Sequence, residues 1–397
     1  MELPESHIYL VASSEGRLDA FAPLFDLAWR PQRLLLLAEP SEAKLLERLT
    51  RYLEERGFDV LPFILDFRSP RSALDRARVL LQRWQRGPFA LNLSGADGLL
   101  LWAGLELCRE RGGLVFHRRG AELELLSAPG GIGLLQPSWR LYDLLTLAGI
   151  DAEGGAIEGW PAPLHRSFSL RLLSELPALQ LPLSRLRRWA EQAARGSSQA
   201  LRSALLEEGV QGLIERFEAM RLLELSEGRL RFLDEPRRLF CAGRWLTLCL
   251  YEALYAQLNR AELPSEFAFE VELQPLDASL PPSMVELLCA SGERVFAFKL
   301  IEGEASGLLA LQRLSTLREQ LTRIEPVLFG LTPPSDRLYQ RATDLDIPLC
   351  MPQELTRLPR WFAEQLSIQS GSARSPRAPR QLSAPPSERP QSASPPP

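Results

Sequence analysis

The sequence predicts an α/β protein with an N-terminal domain on a parallel sheet, a helical middle region and a second α/β domain towards the C-terminus. Three observations predict this. Through about the first 130 residues, short apolar runs alternate with amphipathic stretches, the pattern of strands covered on both faces by helices. Residues 168–222 lack such runs and read as mostly helical. Beyond residue 240, strand-like and helix-like stretches resume.

The elements follow in order. "HIYLV" (7–11) is a first strand, and an amphipathic stretch runs from Arg17 to Trp29. "RLLLLA" (33–38) is a second, buried strand. A helix follows over 41–57, with Ser41 as N-cap and Gly57 as C-cap. "DVLPFIL" (59–65) is a third strand, 70–87 a helix ending at Gly87, and "FALNLS" (89–94) a fourth strand. A glycine-closed helix (98–113) leads into a fifth strand, "LVFHR" (114–118). Residues 120–160 carry glycines, prolines and one short helix (137–149), which reads as a domain exit.

In the middle region, 222–233 reads as a hairpin turning at Glu227-Gly228. With two helices before it, this suggests a winged helix. Its recognition helix would carry Glu215 and Glu218 against Arg216 and Arg221, a poor balance for phosphate contacts, so a spacer is the reading. The basic run with Arg185, Arg187 and Arg188 reads as a solvated helix face.

The third unit opens with a helix (243–258). "EFAFEVEL" (266–273) alternates, so Phe267, Phe269, Val271 and Leu273 face inward while Glu266, Glu270 and Glu272 face out. "MVELLCA" (284–290) and "RVFAFKLI" (294–301) are apolar on both faces, as central strands are. A helix (306–322), a strand (326–331), a helix (335–345) and a strand (347–351) complete it. The expected boundaries are 1–135, 136–239 and 240–368, with 369–397 a Ser/Pro-rich tail too poor in apolar residues to order itself.

Composition narrows the function. A net charge of −4 over 397 residues marks no general polyanion binder, so any nucleic-acid site must be a local patch. Five cysteines without a CxxC pair and three distant histidines argue against zinc. The N-terminal apolar run is too short for a signal peptide, and no window approaches a membrane span. A cytoplasmic, reduced protein with no membrane partner is the expectation.

Four stretches carry a family resemblance: "NLSGADGLLLWAGLEL" (92–107), "SWRLYDLLTLAGID" (138–151), "FCAGRWLTLCLYEAL" (240–254) and "MVELLCASGERVFAFKL" (284–300). In this order and spacing the chain resembles CRISPR-associated nucleases that join an N-terminal CARF sensor to a C-terminal PD-(D/E)XK, restriction-endonuclease-like domain. The resemblance reaches to about residue 366. It implies a Rossmann-like sensor that binds a cyclic oligoadenylate, cyclic tetra-adenylate being one candidate, in a homodimer. It further implies nucleic-acid cleavage by the C-terminal domain, in type III CRISPR antiviral defence.

A metal-dependent phosphodiesterase needs hard oxygen ligands for Mg²⁺ or Mn²⁺ at the scissile phosphate. The resemblance places a helix carboxylate where this chain has Thr247, an aspartate where it has Glu286, and the Glu of Glu-x-Lys where it has Ala297. Only Lys299 stands as the pattern demands. Positions i and i+2 of a strand share a face, so the pattern aims a ligand and an ammonium at one point. Glu302 falls on the other strand face, and Glu252 lies roughly 140° around its helix from Thr247, so neither replaces a lost acid. The expectation is a structural relic in which Glu286 and Lys299 form a salt bridge and cleavage is lost or severely reduced. The alternatives are an active endonuclease with a site rearranged around Glu286 and Lys299, and a winged-helix regulator that binds nucleic acid.

In the sensor, the resemblance points to Ser13, Ser14 and Arg17 after the first strand, and to Asn92, Ser94, Gly95 and Asp97 in the turn after the fourth. Backbone amides and small hydroxyl residues at a helix N-terminus suit phosphate. Asp97, where the family has threonine, repels an anion or caps its own helix, and Glu15 also opposes one.

Overall fold

A computed structural model of the chain describes residues 3–11, 14–85, 87–95, 98–126, 131–155, 163–194, 208–226, 229–276, 281–301, 303–320, 324–330, 334–350, 360, 362 and 364. The expected tail, the hairpin turn at 227–228 and Glu302 lie outside them.

Five strands form the parallel sheet: β1 (Ser6–Leu10), β2 (Arg33–Ala38), β3 (Asp59–Ile64), β4 (Ala90–Asn92) and β5 (Leu114–Arg119). They lie in the order β3-β2-β1-β4-β5, so chain direction across the sheet reverses between β1 and β4. Helices α1 (Ser14–Phe21), α2 (Ala43–Glu55), α3 (Pro70–Trp84) and α4 (Gly98–Arg111) connect them. One apolar layer joins α2 to Tyr9, Leu34 and Leu36; the other joins α3 and α4 to Ile8, Leu35 and Leu37. This is the period of two expressed as burial on both faces.

The amphipathic stretch from Arg17 to Trp29 divides: α1 stops at Phe21 and a 3₁₀ turn, Ala22–Phe25, follows with Pro23 in its first positions. Proline has no N–H to continue an α-helix. The stretch after β5 is not merely an exit. It forms antiparallel strands β6 (Glu122–Leu125) and β7 (Gly131–Leu134) that widen the sheet to seven. Gly133 is required there, because a Cβ at that position would meet Trp29 at 2.8 Å.

Helix α5 (Leu141–Leu147) leads into β8 (Ile150–Gly155), which leaves the first sheet and pairs with a strand 120 residues further on. The middle region holds α6 (Pro163–Ser174), α7 (Leu176–Ala194), α8 (Glu208–Ala219), the ribbon β9 (Leu223–Ser226) and β10 (Arg229–Phe232), and the short α9 (Glu235–Leu239). A kink at Gly243, with φ of 114°, then redirects the chain into α10 (Trp245–Arg260).

The second sheet contains β11 (Ser265–Pro275), β12 (Ser283–Ser291), β13 (Arg294–Ile301), β14 (Ile324–Gly330) and β15 (Leu349–Cys350), in the order β15-β14-β13-β12-β11-β8. Helices α11 (Gly303–Gln320) and α12 (Asp336–Asp344) link the last three strands, which run parallel. Leu287, Cys289, Phe296 and Phe298 pack with α10, while Leu288, Val295 and Ala297 pack with Leu311 and Leu314 of α11.

The second sheet therefore draws its edge strand from ahead of the helical region, whereas the sequence placed the start of this unit near residue 240. The α11 side of its core is also continuous, through α5 and β8, with the core beneath α2. Arg48 fixes the crossing with hydrogen bonds to Ile150 O at 2.5 Å and Asp151 Oδ1 at 2.7 Å.

Candidate functional sites

The strand order reverses between β1 and β4, the place at the carboxyl ends of the strands where doubly wound sheets form a crevice for ligands. The loops there and the start of α1 hold the expected sensor residues. Asn92 and Ser94 are buried there, and their polar atoms are committed to the turn. Asn92 Nδ2 donates to Ala20 O at 2.6 Å, and its Oδ1 accepts from Ser94 N at 2.9 Å and Ser94 Oγ at 2.7 Å. Ser94 Oγ in turn accepts from Arg118 N at 2.8 Å. These two residues shape the loop. Gly95, at φ 69°, takes a left-handed conformation that lets the chain turn back towards α4. Ser13 and Asp97 lie outside the described residues, as does the side chain of Ser14.

Arg17, to which the resemblance also points, is held by partners within the fold. It is 5% exposed, donates to Leu147 O at 3.0 Å and pairs with Glu42 at 3.5 Å. Burial pushes its guanidinium below the ordinary value, and Glu42 partly restores it. The arginine ties α1 to the end of α5. No residue pattern signals this, because the partner is a backbone carbonyl 130 positions away.

Arg118, which sequence reasoning missed, holds the first sheet to the β12–β13 turn of the second. Its buried guanidinium contacts Asp19 Oδ1 at 3.1 Å and Glu293 Oε1 at 2.5 Å. Glu293 also accepts from Trp139 Nε1 at 3.3 Å.

The second candidate site is a cleft of about 380 Å³ where the kink at Gly243 meets the second sheet. Thr247, Glu270 and Glu286 line it, with Arg187, Arg238 and Arg244. Glu286 and Lys299 are brought together: Lys299 Nζ donates to Glu286 Oε1 at 2.9 Å. The other oxygen accepts from Leu300 N at 2.6 Å. The β12–β13 ladder ends at Leu287 opposite Phe298, so this carboxylate replaces the backbone acceptor that Leu300 would otherwise find across the strand. Ala297 is not brought to the cleft. It is fully buried, in the same apolar cluster as Leu288, Val295 and Leu311.

Glu270 is the cleft residue that pattern reading missed. Pairs Phe269–Leu287 and Val271–Val285 flank it, which sets Glu270 opposite Glu286. Its φ of 50° is left-handed within an 11-residue strand, at a bulge against β8. The other non-glycine residues with positive φ, among those described, are Arg221, Glu262 and Asp346, each just beyond a helix end. Arg244 pairs with Glu270 through both its Nε and Nη2. Strict alternation sends a glutamate to solvent, and nothing in sequence reveals a bulge.

The donor set here does not match a three-acid metal clamp. One expected position is a hydroxyl, another a buried methyl, and each cleft carboxylate is already paired. Among the described residues, no group of three His, Cys, Asp or Glu side chains is placed to hold a metal ion. Glu252 points elsewhere, to Arg166 at 2.9 Å.

The middle region spends its charges internally. Arg216 of the would-be recognition helix pairs with Glu175 at 2.7 Å, and Glu218 accepts from Leu225 N at 3.1 Å. Arg187 pairs with Glu191 at 3.1 Å, so it lines the cleft and is not part of a solvated face. A larger open groove of about 660 Å³ lies along α3, lined by Phe63, Val79, Arg76 and Arg83, and includes none of the expected site residues.

The order of strands in both sheets, with the helical insert between them, permits a comparison of whole folds. The chain shares the fold of protein VC1899 from Vibrio cholerae. The two agree with a TM-score of 0.73 at 18% sequence identity, over 91% of this chain and 98% of that one. Can2 from Sulfobacillus thermosulfidooxidans, solved in complex with cyclic tetra-adenylate, agrees with a TM-score of 0.68 at 14% identity, over 92% of this chain and 99% of its own. The architecture is thus the expected one, an α/β unit on a mostly parallel sheet followed by a helical region and a second α/β unit, in the fold that these two proteins share. No protein-family model and no curated protein matches the sequence. No described helix is long and apolar enough to cross a membrane.

Proposed function

We propose that this chain is a CARF-type sensor of a cyclic oligoadenylate in type III CRISPR antiviral defence, joined to a restriction-like domain whose hydrolytic centre is impaired. The sensor half rests on the crevice between the loops after β1 and β4, and on the shared fold with a protein solved holding cyclic tetra-adenylate. A second copy of the chain as partner is supported by the exposed stripe of Leu99, Trp102 and Leu105 on α4, which starts beside that crevice.

The observation that carries the impairment is Glu286. Both its oxygens are used, one by Lys299 and one by Leu300 N–H, and the neighbouring acid position is Ala297 in the core. In an intact site Mg²⁺ or Mn²⁺ would activate water and neutralise phosphate charge.

One observation favours a second reading, an active endonuclease with a rearranged site. Glu270 lies opposite Glu286 and lines the same cleft, so two carboxylates and Lys299 stand on three neighbouring strands. Nucleic acid would then be the partner of the C-terminal unit.

Calorimetric titration with cyclic tri-, tetra- and hexa-adenylate tests the sensor. Incubation of single- and double-stranded DNA and RNA with protein, ligand and Mg²⁺ or Mn²⁺ tests the rest. The proposal expects binding of one ring and no robust cleavage. Cleavage that vanishes in Lys299→Ala and Glu286→Gln overturns impairment, and absence of binding by all three rings overturns the sensor.

A further inference from the structure

We propose that Arg118 is the link through which the turn after β4 sets the position of the β12–β13 hairpin, and with it the Glu286–Lys299 pair. The identity of the sensor's ligand rests on the function proposed above; the link itself does not.

Four contacts run in series. Ser94 Oγ donates to Asn92 and accepts from Arg118 N, so the turn and β5 share one hydroxyl. The Arg118 side chain, 8% exposed, is oriented by Gly120 O at 2.7 Å and Asp19 Oδ1 at 3.1 Å. From there it reaches Glu293 Oε1 at 2.5 Å. Glu293 stands with Gly292, at φ 58°, in the turn that joins β12 to β13. The two strands are then locked pair by pair from Ser291–Arg294 to Leu287–Phe298.

The ladder stops at that last pair, and the next residue on β12 is Glu286. A paired hairpin packed on both faces moves as a body, because close-packed interiors shift between discrete arrangements and do not deform smoothly. A shift of the turn at Glu293 therefore appears at the free end of the ladder. There Lys299 Nζ and Leu300 N–H both donate to the Glu286 carboxylate, which takes the place of the ladder. A change at residues 94–95 is thus carried to the cleft without either site touching the other.

Hydrogen exchange of the full-length protein, read by mass spectrometry over 283–301, tests this. Ser94→Ala removes the shared hydroxyl and is expected to speed exchange there about threefold or more. In a Glu293→Gln background, and in Arg118→Met, which keeps the aliphatic packing, the same Ser94→Ala change is expected to have no further effect. No change with Ser94→Ala, or an equal change in every background, overturns the link. Cyclic tetra-adenylate supplies the second arm. If it alters 283–301 equally in wild type and Glu293→Gln, the sensor stands and the link falls. If it alters nothing while Ser94→Ala does, the link stands and the sensor falls.

Discussion

Lys299 and Glu286 face each other across β13 and β12, 2.9 Å apart, at the point where the ladder between those strands ends. Both side chains are mostly buried, at 23% and 19% exposed. Truncating the acid therefore leaves two donors, Lys299 Nζ and Leu300 N–H, in a partly dry cleft. Glu286→Ala is expected to destabilise the fold by about 2–3 kcal/mol, and Glu286→Gln by about 1, since the amide oxygen still accepts from Leu300. Urea unfolding of the two variants checks the order; equal losses would mean that the Leu300 contact contributes nothing.

Ala297 makes the complementary case. Restoring the acid that a Glu-x-Lys pattern calls for would push a carboxylate among Leu288, Val295 and Leu311. An unpaired charge in such a place costs several kcal/mol. Ala297→Glu is expected to lower the melting temperature markedly and to leave metal-dependent cleavage at the wild-type level. A stable Ala297→Glu protein that cuts nucleic acid would show that the pocket around this position opens.

His7 gives the fold a pH dependence. It is fully buried in β1 beside Tyr9 and Phe116, with ring centroids 6.0 and 5.4 Å away. Burial holds its imidazole down to about 4 from the usual 6.5, the nearby backbone of Pro4 pulling weakly the other way. The unfolded chain therefore takes up this proton first as pH falls. The resulting stabilisation is present above pH 6.5 and is lost progressively between 6.5 and about 4. At 1.36 kcal/mol for each pH unit, that window is worth about 3 kcal/mol. His7→Leu is expected to flatten the pH profile of thermal unfolding over that range; an unchanged profile would assign the slope to other groups.

Much of this was legible before any fold was known. Strands β1 to β5 and β12 to β14 announce themselves as mostly apolar runs, most plainly β2, whose residues Leu34 to Ala38 are all buried. Glu286 and Lys299 were legible as partners through the resemblance, which assigns their positions to two paired strands. The four-residue strands β6 and β7 were not, as alternation over so short a span is indistinguishable from a loop. Nor was Glu270, whose inward place depends on a bulge, nor Arg17, whose partner is a backbone carbonyl that any residue could have supplied.

The sequence by itself determined the two α/β units, the helical region between them, and a hydroxyl and a methyl, Thr247 and Ala297, at two positions where the resemblance calls for acids. These are local facts of periodicity and residue type, carried by each segment wherever it packs. The tertiary structure alone decided that β8 completes the second sheet, that Glu270 joins the cleft and that Arg118 spans from the sensor turn to Glu293. Such pairings bring together residues up to 175 positions apart, and no local propensity encodes them. They exist because burying two shared apolar faces leaves the charged groups at the seam no better partners than one another.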